Sequence, residues 1–542
     1  MGDSYQVSIK NSLEERPAAV EAIIINSGVQ QQTEPVDNRA EPLSIEGVER
    51  GEDVRGWKPY ENSKYESPVL NRLVPWPLYY YCRWKTLEIF HTRLVFGIVL
   101  GEVLFFLLLV GGLAGALAAS GMQKGEDAAE GTGSIAIIPA ALAFAFACRN
   151  SVWVLFTGLP FERALFWHKL CAYLSVLVGA WHGFLSDEWD ASGLVLTGTM
   201  AALCLFSLWF IRRRIFEAFY RFHWILFLVV IGSAFVHGAG GIAFGAAPWL
   251  FDILVRLLIS FSNNKHQRSI LAVRLPSNVV RLTFLKRDFK YKSGQYCFIC
   301  VPGVSLFEWH PFSLSSSPHE NMVSLHIRVL GDWTQRLYDY VDQTRQIKVY
   351  LDGPYGAPCL DVDGDRYKMF MFISGGIGIT PMQSICNDIL HQRKRGRDIK
   401  KVMFIWSVRD LFMVTSVLDY DKEYFQKNTN LRLPISFCPD LVVRGQPQEV
   451  MENYFHLTRE RDSSKFEEAN IRPEMQPDLK FGRPDLPKLF SKMKGYASEM
   501  GESKVAVLTC GPTSLVNSAE KLCATFSSGG VTFDFHKEVF EF

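Results

Sequence analysis

His168-Lys-Leu-Cys-Ala-Tyr-Leu-Ser-Val-Leu-Val-Gly-Ala-Trp-His182 and His223-Trp-Ile-Leu-Phe-Leu-Val-Val-Ile-Gly-Ser-Ala-Phe-Val-His237 decide how this chain is read. Each is an apolar run with a histidine at either end, fourteen positions apart. At about 100° per residue, fourteen steps return to within about 40° of the start, so both rings share a helix face. A rise of ~1.5 Å per residue separates them by about 21 Å along the axis. Two such helices side by side offer two His–His pairs, each able to clamp a haem iron axially. A lone buried histidine is ordinarily satisfied by a backbone carbonyl. Four ionisable rings in lipid-grade sequence, repeated at one helical spacing, outweigh that reading, and a bis-haem transmembrane electron conduit is expected.

The apolar material extends from about residue 94 to 261 and divides into six expected spans, near 94–119, 133–150, 166–186, 193–211, 221–239 and 242–261. Arg83, Lys85 and Arg93 precede the first; Arg149 to Lys169 bracket one joint and Arg212, Arg213, Arg214 and Arg221 fill another. The alternate joints are acidic, with Glu126, Asp127 and Glu130 in one and Asp187, Glu188 and Asp190 in the next. The positive-inside rule then puts both termini in the cytosol, His168 and His223 near the inner surface, and His182 and His237 near the outer one. The second acidic joint reads either as a solvated loop or as a funnel for a metal cation. Residues 151–165, broken by Gly-Leu-Pro, are expected to form an interfacial loop or to extend the second span.

The formal charge of +1 gives no basic excess for nucleic acid, and none of the eleven cysteines falls in an external segment, so no disulfide framework is expected. Cys297 and Cys300 form a CxxC, but in an alternating strand an odd spacing puts them on opposite faces. Residues 1–56 are polar, without sustained periodicity, and are expected to be a disordered cytosolic segment. The aromatic cluster from Trp57 to Trp84 suits a membrane interface, so the membrane domain is drawn as 57–261.

Beyond the spans, β-branched runs at Ile270–Leu275, Val279–Leu285, Gln295–Val301, Val323–Val329 and Ile347–Leu351 predict a small antiparallel barrel over 268–360. From 366 to 542, apolar strands alternate with helical stretches, the βαβ pattern of a doubly wound nucleotide-binding domain. Residues 438–480 look like an excursion from its sheet. Ser374-Gly-Gly-Ile-Gly-Ile-Thr-Pro381 joins a strand to a helix, where small residues and free N–H groups suit a pyrophosphate. Cys510-Gly-Pro512 ends another strand in a close-approach turn. In His310-Pro-Phe-Ser-Leu-Ser-Ser-Ser-Pro318 an extended backbone can face a flat ring and hydroxyls can face a phosphate, with Arg328 as a neutralising cation.

Together, these histidines and motifs, with Leu325-His-Ile-Arg-Val-Leu-Gly-Asp-Trp-Thr334, Asp352-Gly-Pro-Tyr355 and Phe481-Gly-Arg-Pro-Asp485, resemble the ferric reductase and NADPH oxidase superfamily in content and order over residues 95–542. The resemblance implies that His310, Pro311, Phe312, Ser313, Ser315 and Arg328 hold FAD. It implies that Gly375, Gly376, Gly378, Thr380, Pro381, Cys510, Gly511 and Pro512 hold NADPH, with Arg409 and Arg483 near its 2′-phosphate. Cys510 and a tail aromatic, Phe542 or Phe540, would act at the flavin, and His168, His182, His223 and His237 would ligate two b-type haems. The implied activity passes electrons from cytosolic NADPH through FAD across the plasma membrane. The acceptor is a ferric or cupric chelate in one branch and dioxygen, giving superoxide, in the other. The fourteen-residue second spacing, the glycine-turn and HPFSLSSSP wording, and the short uncharged joint 238–247 point to the metal reductases. The run His326-Ile-Arg-Val-Leu-Gly-Asp-Trp-Thr334, the Phe-His-Lys-Glu tail and the count of six spans point to the oxidases. The chelate reading is the expectation carried forward.

Overall fold

The computed structural model describes residues 56–59, 75, 100–121, 126–149, 161–186, 190–264, 270–286, 289–320, 322–343, 346–356, 360, 362–417, 450–469, 471 and 473–538. Its first part is helical: α1 Leu100–Gly121, α2 Glu126–Phe146, α3 Phe161–Leu185, α4 Ala191–Phe206, the short α5 Trp209–Arg214, α6 Phe216–Val236 and α7 Ala243–Asn264. Among the described residues, four stretches are long and apolar enough to cross a membrane, Leu100–Ser120, Ala164–Leu185, Ala218–Val236 and Gly240–Leu258, while Glu130–Phe146 and Ala191–Phe206 are shorter apolar helices. Leu108, Phe184, Val236 and Phe244 stand at least 75% exposed, an apolar belt that lipid would cover. The expected loop 151–165 is corrected at its end, since residues 161–165 form the first turn and a half of α3. Residues 151–160 lie outside the described set.

Next come β1 Ile270–Leu275, β2 Val279–Leu285, β3 Tyr296–Cys300, β4 His310–Ser313, β5 Met322–Arg328, α8 Asp332–Gln343, β6 Gln346–Ile347 and β7 Tyr350–Tyr355. Every pairing is antiparallel, in two sheets of order β5-β2-β1-β6 and β4-β3-β7. The expected barrel is thus two antiparallel sheets around one core of Val280, Leu282, Ile299, Leu325 and Ile327. Helix α8 closes it with Trp333, Leu337 and Val341, buried at four-residue intervals on one stripe. Cys297 and Cys300 are both buried and free, because both faces of β3 are covered.

The last domain contains β8 Met369–Gly375, α9 Ile379–Lys394, β9 Lys401–Val408, α10 Phe412–Val417, β10 Met451–Leu457, β11 Leu479–Phe481, α11 Leu486–Glu499, β12 Lys504–Cys510, α12 Thr513–Phe526 and β13 Thr532–Glu538. Its six strands are all parallel, ordered β11-β10-β9-β8-β12-β13. All seven residues of β8 are buried, as a central strand covered on both faces requires. The supposed excursion 438–480 supplies two of the strands, β10 and β11. Polar residues such as Glu452 and Asn453 hide this pattern because they lie near the sheet's margin, where Lys492 and Asp478 bind them.

Among the described residues, several joints connect these parts. Arg149, just past α2, forms a 2.8 Å ion pair with Asp352 of β7 and lies 3.4 Å over the Phe298 ring of β3. Between the antiparallel sheets and α9, Ser293 Oγ donates to Asp388 (2.9 Å) and Ser317 Oγ to the Ser384 carbonyl (2.5 Å), while Lys292 pairs with Asp363, ahead of β8 (2.5 Å). A further joint starts at Trp57; most of the aromatic cluster expected at the membrane interface after it lies outside the described residues. Trp57 donates its backbone N–H to the Arg395 carbonyl (2.9 Å) and its ring N–H to Gln392 (3.1 Å), at the end of α9.

Candidate functional site: paired histidines and two interlocked turns

Helices α3 and α6 carry the four histidines, His237 as the C-cap of α6. They meet as the spacing predicts: ring centres are 6.3 Å apart for His168–His223 and 6.0 Å for His182–His237. An iron about 2 Å from one nitrogen of each ring puts the two ring centres about 6 Å apart, so both pairs fit a clamped haem. At three of the four rings the Nδ1 atom has a partner, while His223 Nδ1 is buried with none among the described residues. His168 Nδ1 lies 2.8 Å from the Ala143 carbonyl and so carries the proton, leaving Nε2 with its lone pair free for a metal. His182 Nδ1 is 3.5 Å from the Thr132 hydroxyl, and His237 Nδ1 is 2.9 Å from Asp190. Close approach is built in: a Cβ on Gly193 would come within 2.7 Å of the His237 ring, and one on Gly133 within 3.0 Å of His182. The His168–His223 pair lies toward the flavin-side sheets, because Arg221 of α6 reaches Glu308 (3.8 Å) in the loop before β4. His237 is fourteen residues further along, at the remote end.

In the parallel sheet the strand order turns back between β8 and β12, the crevice in which doubly wound sheets take their ligands. Both predicted turns sit there, with Ser374 in register with Cys510. They interlock: a Cβ on Gly378 would lie 2.6 Å from the Cys510 carbonyl, and one on Gly375 2.6 Å from Pro512. Gly511, at φ +156°, has the Gly375 backbone 2.9 Å from its own Cβ position. Burial, then the nearby Glu538, pushes the Cys510 thiol well up, so it stays protonated at neutral pH. Thr380 and Pro381 are buried at the start of α9, and the Thr380 hydroxyl donates to the Ile377 carbonyl (3.1 Å). Arg409 and Arg483 are exposed just beyond β9 and β11, whose ends Val408 and Phe481 are both in register with Leu457. Trp406 escaped prediction as a support; its ring N–H holds the Gly376 carbonyl at 2.8 Å.

Arg328, ending β5, brings its guanidinium within 3.6 Å of a Cβ position on Gly376, joining the flavin-side motif to the nucleotide turn. The stretch from His310 opens with strand β4, His310–Ser313, giving the extended backbone expected there. The His310 ring lies on Trp333 (4.3 Å between centres), and Phe312 stacks on the same indole (5.9 Å). Burial, then Arg336, pushes His310 down to about 4, so its ring is neutral. Its Nε2 is buried and has no partner among the described residues, the mark of a group that awaits a ligand. Pro311 and Ser313 lie on the same strand. The serine run is corrected in part. Ser315 donates to the Ser324 carbonyl and lies 2.8 Å from His326, Ser316 engages Tyr291, and Ser317 reaches Ser384, so these hydroxyls knit the fold instead of facing a phosphate. Phe540 and Phe542 lie outside the described residues; Glu538, in register with Cys510, ends β13 beside the crevice.

Comparison with known proteins agrees with this geometry. The sequence model of an FAD-binding domain matches residues 265–359, and that of the ferric reductase NAD binding domain matches 367–524. A superoxide-generating NADPH oxidase heavy chain of Dictyostelium discoideum is 30% identical over 355 residues, covering 61% of this chain and 66% of that protein. NADPH oxidase 1 of Mus musculus is 28% identical over 401 residues, 64% of this chain and 66% of the relative. Dual oxidase 2 of Sus scrofa is 29% identical over 61% of this chain, which spans only 22% of that longer protein.

Proposed function

Because this chain belongs to the ferric reductase and NADPH oxidase superfamily, we propose that it is a transmembrane oxidoreductase that draws electrons from cytosolic NADPH and delivers them across the plasma membrane to dioxygen, forming superoxide. The preference for a metal chelate held from sequence gives way here, because the similar proteins named above are oxidases. FAD, when bound, would supply the step from a hydride to single electrons, and haems held by the histidine pairs would supply the one-electron relay.

The residues have divided roles in this reading. Gly375, Gly376, Gly378, Gly511 and Pro512 let NADPH lie close to the backbone, while Thr380 and Pro381 fix the helix start behind it. Arg409 and Arg483 favour its 2′-phosphate. Cys510 fills the floor of the crevice as a neutral thiol, and Phe542 or Phe540 covers the flavin. His310, Pro311, Phe312 and Ser313 offer β4 to the flavin, Ser315 braces that strand, and Arg328 neutralises the diphosphate. All six apolar helices cross the lipid, both termini are cytosolic, and His168, His223, His182 and His237 hold the two haems.

The single observation that carries this reading is the two histidine pairs, spaced for an axial clamp at 6.3 and 6.0 Å, on helices joined to the flavin-side sheets. One observation favours the chelate instead: between His237 and α7 the chain makes only a short 3-10 turn, Gly240–Ile242, which leaves little to roof the remote pair. Purified protein given NADPH and FAD in air should reduce cytochrome c in a reaction that superoxide dismutase suppresses. Direct reduction of a ferric chelate without oxygen, and no dismutase-sensitive product in air, would overturn the oxygen reading.

A further inference from the structure

Asp190, singled out in sequence as part of an acidic joint, does not stand free in the loop. Its carboxylate accepts the Gly193 backbone N–H at 3.1 Å as the N-cap of α4, and Ser192 Oγ contacts the same Oδ2. That oxygen also lies 2.9 Å from His237 Nδ1, while Ser192 Oγ is 3.0 Å from the same nitrogen. A carboxylate at neutral pH only accepts, so the proton is on Nδ1 and Nε2 keeps its lone pair. The Gly193 backbone locks this arrangement, since any side chain there would strike the His237 ring. At the flavin-side pair, by contrast, His168 gives its Nδ1–H to a neutral carbonyl, that of Ala143.

We propose that Asp190 is a positioning residue for the remote haem: through His237 it makes that ligand a stronger donor and lowers the remote centre's reduction potential relative to the flavin-side centre. A carboxylate that accepts the outer N–H of a metal-bound imidazole raises its basicity, and a more basic, more anionic ligand favours the higher oxidation state. A lower potential suits an acceptor that is hard to reduce, so the arrangement sets what the remote pair is able to reduce. This rests on the haem reading of the four histidines.

The test is a mediated redox titration of the full chain in lipid nanodiscs, followed at the b-type absorption band. Asp190→Asn keeps the N-cap, because Asn caps as well as Asp, and keeps an acceptor for His237 while removing the charge. The expected result is full haem content with one wave moved upward by about tenfold in its redox equilibrium, about 59 mV for one electron. His237→Ala, which removes the remote centre, identifies that wave. The low-spin EPR g values of the same centre should shift with it. Two haems with both potentials unmoved, or both moved equally, would overturn the role of Asp190 alone. No b-type band in the unmutated protein would overturn the haem reading itself.

Discussion

Replacing Arg149 with methionine should loosen the flavin-side sheets from the membrane helices. The guanidinium is only 16% exposed and Asp352 only 7%, at 2.8 Å, so water screens this pair little. Removing one partner leaves the Asp352 carboxylate with the Tyr355 hydroxyl, which already donates to it at 2.5 Å. Uncompensated buried charges of this kind cost about 3–5 kcal/mol, and the lost contact over Phe298 adds to that. Hydrogen exchange along β7 reads the effect locally: a loss of about 3–5 kcal/mol speeds exchange by roughly a hundred- to a few thousand-fold if opening limits it. Asp352→Asn should cost less, because Arg149 keeps its aromatic face. The double variant should recover part of the loss, since no unpaired carboxylate remains. Strictly additive single effects, or unchanged exchange in β7 after Arg149→Met, would refute the view that this pair fastens the two parts together.

Three further outcomes follow from the geometry. Gly378→Ala forces a methyl group against the Cys510 backbone carbonyl and should destabilise the nucleotide domain by roughly 1–3 kcal/mol while raising the KM for NADPH; an unchanged KM and melting temperature would count against the interlocked turns. Asp388 is held up to about 6 from an ordinary 3.8 by burial and then by Asp363. Its folded-state pKa is raised, so its contribution favours the fold below about pH 4 and is lost as pH rises through 6, for a change of up to roughly 3 kcal/mol. Asp388→Asn should flatten that part of the stability–pH curve in calorimetry, and an unaltered curve would dismiss the assignment. His182→Ala should abolish delivery of electrons to the external acceptor while NADPH still bleaches the flavin band, and full activity in the variant would refute the ligand assignment.

What was legible in the sequence was periodic or local. Strands β1 and β2 have the predicted limits because alternating β-branched residues sit between clear turns. The histidine pairing followed from helical geometry, and the glycine turns from the strand–turn–helix order. What stayed hidden depended on distant partners. Arg149 read as one of several orienting charges, because its match with Asp352 spans 203 positions. The three serines after Leu314 looked like phosphate ligands; only the fold brings Ser384 of α9 and Ser324 of β5 to them. Strand β10 escaped because its polar residues are satisfied by side chains from other elements, so it lacks the unbroken apolar signature of β8 and β9. Asp190 carried the right charge in the right joint, but its neighbour His237 could be found only once α4 and α6 were packed together.

The contact of Trp57 with the end of α9 changes how the molecule must be pictured mechanically. Gln392, which receives the indole proton, also donates to Asp388, the residue that Ser293 reaches from the flavin-side sheets. Arg397 braces the same corner, donating to Gln392 and lying 5.3 Å from the indole ring. Trp57 is thus tied to the nucleotide domain, that domain to the flavin-side sheets, and those sheets through Arg149 to the helices. A nucleotide domain tied this way cannot swing open as a free door. Swinging it away from Trp57 first requires release of the indole from Gln392.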